Sequence, residues 1–132
     1  MNIDIMTFCE SVHEYEGKLV IVGTFNTIMA EVFPMSPKDL SFALNVSFDK
    51  EDNPDKGFWK IYKKDTPDIE LLNTEFPLNL PQRQPDRKPI LNFYGSLVGM
   101  QIPESGTYIS KIQIGDMVRE IELYAIEIQP SE

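Results

Sequence analysis

The segment LSFALNVSF at 40–48 puts Leu40, Phe42, Leu44, Val46 and Phe48 on every second position, with Ser41, Ala43, Asn45 and Ser47 between them. A helix would scatter these five apolar side chains around its circumference, whereas a pleated strand points all five to one face. The segment therefore predicts a half-buried β-strand. The stretches 3–8, 18–25 (KLVIVGTF), 57–62 (GFWKIY), 90–98 (ILNFYGSLV) and 107–114 (TYISKIQI) share its enrichment in β-branched and aromatic residues. Gly115-Asp116 stands between Ile114 and Met117, which predicts a two-residue type II′ hairpin. That hairpin decides an ambiguous segment, 117–128, in favour of strand, because the chain must pair back at once.

Ten prolines distributed along 132 residues oppose long helices, since each removes a backbone donor and biases the preceding residue towards extended geometry. Pro77, Pro81, Pro85 and Pro89 mark 76–89 as an extended link between two sheets. Several short strands, frequent turns and few helical segments predict an all-β fold, an antiparallel β-sandwich of immunoglobulin-like type, formed by a single domain over 1–132. The turn IPESGTY at 102–108 enters a late strand through Tyr108, whose hydroxyl is expected to bond back to an upstream backbone group.

The opening, with Cys9-Glu10 followed by GKLVIVGTFNTIMAEVFP at 17–34, and the late turn from Pro103 to Tyr108 carry a resemblance. Over most of its length the chain resembles an uncharacterised bacterial family of small β-sandwich proteins, a domain of unknown function. Gly17, Lys18, Leu19, Gly23 and Pro34 match that family's opening; the acidic loop near 49–56 and the proline-rich link depart from it. The resemblance implies the fold and no activity, so no catalytic residue is carried over from it.

Charge restricts the partners. Twelve Lys and Arg against 21 Asp and Glu give a formal charge of −9, which repels phosphate backbones and anionic membranes. The longest apolar run, Leu19 to Met29, is interrupted by Gly23, Asn26 and two threonines, so no membrane-spanning segment is expected. A single cysteine and an opening with Asp4 and Glu10 point to a cytoplasmic location. A protein partner or a homodimer is the expected association, because open sandwiches leave strand edges to be covered.

Few residues invite chemistry. One cysteine and one histidine cannot furnish a zinc site. His13 reads as part of a polar turn over 11–17, and Cys9 as a buried structural thiol with no cation near it in sequence. Asp49, Glu51, Asp52, Asn53 and Asp55 share one loop, with Asp49, Asp52 and Asp55 as weak candidate calcium ligands, yet the spacing is not that of an EF-hand and a solvated hairpin loop is the expectation. Glu120 and Glu122 could serve as paired carboxylates of a glycan hydrolase, but alternate with Ile121 and Leu123 as the wet face of a strand would. No cofactor motif is present, and no catalytic residue is assigned. The expectation is a binding or structural module without catalytic activity, with a carboxylate-dependent glycan hydrolase or a calcium-dependent binding module as the alternatives.

The candidate ligand residues come from alternation. Lys60 is costly in a core, so Trp59 and Ile61 should point inward and Phe58 and Tyr62 outward. By the same rule Leu91, Phe93 and Leu97 point inward and Tyr94 outward. If the two strands lie in one sheet, Phe58, Tyr62 and Tyr94 form an aromatic platform, expected to be covered by the proline-rich link or a second subunit rather than left bare.

Overall fold

In a computed structural model that describes residues 1–80 and 85–130, nine strands and no helix are found. They are β1 (Asn2–Tyr15), β2 (Lys18–Phe25), β3 (Thr27–Ala30), β4 (Ser41–Ser47), β5 (Lys56–Lys63), β6 (Thr66–Pro77), β7 (Ile90–Ser96), β8 (Gly106–Ile114) and β9 (Met117–Glu127). Two sheets result, one ordered β2-β1-β4-β7 and the other β3-β9-β8-β5-β6. All pairings are antiparallel except β3 with β9, which is parallel. Among the described residues no helix is long and apolar enough to cross a membrane.

The deciding strand behaves as its alternation demands. Leu40, Phe42, Leu44, Val46 and Phe48 are all buried, at 1% exposure or less. Across the interior, Phe42 of β4 stacks on Trp59 of β5 at 4.7 Å between centroids. Phe93 of β7 then meets the edge of Trp59 at 5.7 Å and stacks on Phe76 of β6 at 4.2 Å. The rings alternate between sheets, which is how two β layers fill the space between them. One polar pair sits among them: the buried Trp59 indole Nε1–H donates to Ser110 Oγ at 2.9 Å. Tyr108, fully buried, donates its hydroxyl to the Glu104 carbonyl at 2.7 Å, as the turn at 102–108 led one to expect.

Turn chemistry closes the hairpins. Gly115 takes φ 58° between the paired residues Ile114 and Met117, and Asp116 has no positive φ, as a type II′ corner requires. Glu16 and Gly17, at φ 51° and 76°, form the corner between Tyr15 and Lys18. The turn is thus far tighter than the expected loop over 11–17, and His13 lies on β1, opposite Val20.

Other expectations also need correction. The alternation predicted a strand buried on one face, yet Ser41 and Ala43, on the opposite face of β4, are buried as well. The cause lies far away in sequence. Asn92 of β7 accepts a hydrogen bond from Asn45 at 2.7 Å and donates one to the carbonyl of Gly17 at 3.1 Å. Because β4 lies between β1 and β7, the β1–β2 corner can reach Asn92 only by folding back across the outer face of β4. The 49–56 loop is no hairpin loop either, since it carries the chain from β4 in one sheet to β5 in the other. Residues 66–77, not anticipated as a strand, form β6 at a sheet edge, where Pro67 and Pro77 need donate nothing to a neighbour. The proline-rich link does connect the two sheets, from β6 to β7; Pro81 and residues 82–84 lie outside the described residues.

Candidate functional site

On the solvent side of the five-stranded sheet, β5 presents Phe58, Lys60 and Tyr62 while Trp59 and Ile61 are buried beneath. Phe58 is 44% exposed, and Tyr62 is half-buried. The register sets Gln113, Lys111 and Ile109 of β8 opposite these three residues, and Glu75, Asn73 and Glu70 of β6 on the other side. Phe58, Lys60, Asn73, Lys111 and Gln113 together line a shallow pocket of about 180 Å³.

Its electrostatics are uneven. Lys60 and Lys111 are directly opposite each other, a like-charge pair that costs stability unless something compensates it. Glu70 Oε1 lies 3.3 Å from Lys60 Nζ and supplies part of that compensation. Lys111 has no ion pair among the described residues. The Lys60 ammonium lies 5.2 Å from the centre of the Tyr62 ring and the Lys56 ammonium 5.5 Å from that of Phe58, both within cation–π range. The arrangement offers two cationic donors, two amides and one exposed ring across β8, β5 and the edge strand β6.

Tyr94 does not join this surface. Its strand, β7, belongs to the four-stranded sheet, so Tyr94 faces solvent on the opposite side of the molecule, at 39% exposure. The condition for a platform of three rings is not met. Nor does the rest of the described chain cover Phe58 or Tyr94. Lys111 and Gln113 were within reach of sequence reasoning, because they alternate with Ile112 and Ile114; Asn73 was not, because β6 was not anticipated.

The acidic loop is engaged elsewhere. The Met1 ammonium lies 2.6 Å from Asp49 Oδ2 and 2.9 Å from Asp52 Oδ2, and Lys88 Nζ is 2.9 Å from Asp49 Oδ1. Hydrogen bonding to the Met1 and Lys88 ammonium groups lowers the Asp49 pKa to about 2. Asp52 is lowered too, chiefly by the Asp49 backbone N–H it accepts. Asp55 is exposed, and its carbonyl accepts from Leu78 N–H at 3.0 Å. Among the described residues no three His, Cys, Asp or Glu side chains are placed to hold a metal ion. A cleft of about 380 Å³ between 48–51 and 85–89 includes the paired Asp49 and Lys88 in its lining.

Cys9 is fully buried, and desolvation pushes its thiol pKa up, away from the reactive thiolate. His13 is exposed four residues further along β1, on the order of 13 Å for extended chain. The structure does not bring the two together. Glu122 accepts a hydrogen bond from the Tyr124 hydroxyl and an ion pair from Lys64, and the Tyr124 bond in particular lowers its pKa.

Comparison with known proteins finds one family model, the Family of unknown function (DUF6941), matching residues 4–126. No curated protein matches the chain.

Proposed function

The chain belongs to the family of unknown function DUF6941, and from that premise we propose that it is a non-catalytic binding module. Its ligand surface is the outer face of the five-stranded sheet around Phe58. The observation that carries this reading is the pocket in which an exposed ring, Phe58, stands beside the half-buried Lys60 and Lys111 on two central strands. Such a surface suits a protein partner that offers an apolar side chain next to a carboxylate: the ring anchors the first and Lys111 receives the second. Sugar stacking is less well served, because lysine ammonium groups already lie near both rings.

The alternative of a carboxylate-dependent hydrolase needs one carboxyl held protonated near neutral pH, with a raised pKa. Asp49, Asp52 and Glu122 are instead lowered. Calcium binding through Asp49 and Asp52 would have to displace the Met1 ammonium. We also read the two-sheet architecture as immunoglobulin-like, supported by the Tyr108 to Glu104 bond.

The test is Phe58→Ser together with Lys111→Glu, assayed by nuclear magnetic resonance with short peptides carrying Leu-Glu or Leu-Lys. Resonances of Phe58, Lys111 and Gln113 should move with the acidic peptide alone, and both substitutions should abolish the response. Stability should change by no more than about 0.5 kcal/mol, as for other exposed positions. Equal responses to both peptides, or a Phe58→Ser protein that unfolds, would remove the proposal.

A further inference from the structure

A second site lies on the flank of the sandwich, where the chain leaves β2 and enters β3 through Asn26. There β1 and β9 come side by side without pairing, because they belong to different sheets. The gap is a groove of about 360 Å³. Met6, Phe25 and Ile121, all packed against the core, supply an apolar floor. Thr7, Asn26, Glu122 and Tyr124 supply the polar rim.

Most of the rim is already satisfied internally. The Thr7 hydroxyl donates to the Phe8 carbonyl at 2.9 Å. Asn26 Oδ1 accepts from the Thr27 hydroxyl at 2.9 Å, and the Asn26 carbonyl accepts from Tyr124 N–H at 2.7 Å. The Tyr124 hydroxyl donates to Glu122. Besides the N–H donors of the exposed Asn26 amide, the rim offers acceptor capacity on the Glu122 carboxylate, which has room for about four hydrogen bonds, and the partly exposed Tyr124 ring. A carboxylate and an aromatic ring above an apolar floor match a cation carried on a chain of methylenes. The chain's charge of −9 attracts such a cation from a distance and repels an anion.

The protein's own Lys64 shows that an alkylammonium group can meet this carboxylate. Its Nζ lies 3.4 Å from Glu122 Oε1, with the two side chains 54% and 37% exposed. A long, solvated pair of this kind is weakly held, and a better-seated ammonium can displace it.

We propose that this groove binds a primary alkylammonium group, with its methylenes on Met6, Phe25 and Ile121 and its ammonium on Glu122. The group can belong to a free diamine or to the lysine side chain of a protein partner. The site is separate from the Phe58 surface and stands or falls independently of it.

The experiment titrates the folded full chain, followed by nuclear magnetic resonance, with 1,5-diaminopentane and with a capped Gly-Lys-Gly peptide. Neutral 1,5-pentanediol and anionic glutarate serve as controls. Resonances of Met6, Thr7, Asn26, Ile121 and Tyr124 should move with at least one amine and with neither control. Glu122→Gln should weaken binding at least tenfold at unchanged melting temperature, and Lys64→Ala, by removing the internal competitor, should tighten it several-fold. Response to the diamine alone identifies a free amine as the ligand, and a tighter response to the peptide identifies a partner's lysine. No response to either amine, an equal response to pentanediol, or retention of affinity in Glu122→Gln would overturn the proposal, as would a Lys64→Ala protein that binds less well.

Discussion

Ser110 is a small polar residue in an aromatic interior, where it accepts the Trp59 indole N–H at 2.9 Å. A buried donor left without a partner costs its full desolvation, whereas removing donor and acceptor together is far less costly. Ser110→Ala should therefore destabilise the protein by about 1–3 kcal/mol, read from chemical denaturation. The same substitution made in a Trp59→Phe background should cost clearly less. Additive losses would mean that the bond contributes nothing beyond packing. The residues proposed to meet ligands differ in kind: Phe58, Lys111, Glu122 and Tyr124 sit at the surface, so their substitution tests function with little effect on the fold.

Strands meet across a sheet, and Gly57 shows how narrow the tolerance is. It is the second residue of β5, directly opposite Phe76 of β6, and a Cβ placed on it would collide with the tip of the Phe76 ring. The ring lies over the glycine and stacks on Phe93 in the interior. Gly57→Ala should cost about 1–3 kcal/mol through overpacking. Adding Phe76→Leu should recover part of that loss, so that the double variant is more stable than the sum of the single effects predicts. If the effects simply add, the ring and the glycine are not in contact. The same edge explains why β6 escaped the sequence pattern. Its pairing with β5 shifts register after Ile61 and again after Tyr62, so Leu71 and Leu72 follow one another where alternation would separate them. A bulged strand that contains Pro67 and Pro77 near its ends has no period of two left to read.

The head of β1 is tied by charge to the loop that follows β4. The Met1 ammonium at the head of β1 meets Asp49 and Asp52 in the crossover that joins the sheets. Asp49, lowered to about 2, stabilises the folded state above the ordinary carboxyl pKa and loses that effect as pH falls through its folded value. The Met1 ammonium is raised, so its contribution is complete below its ordinary value of 8.0 and fades as pH rises through its higher folded pKa. The tie is thus fully present between about pH 4 and pH 8. A profile of melting temperature against pH should show Asp49→Asn falling below the parent across that window and converging with it at the acid end; parallel profiles throughout would show the tie to be without effect. Much of the molecule was determined by its sequence alone: the inward faces of β4 and β5, the Gly115 corner, the Tyr108 bond and the outward placement of Phe58. Each of these follows from neighbours within a few residues, where alternation and turn sterics act. Which sheet a strand enters depends instead on hydrogen bonds to residues dozens of positions away, and those leave no local pattern. For that reason only the tertiary structure could separate Tyr94 from Phe58, fold the β1–β2 corner over β4, and bring Glu122 beside Phe25.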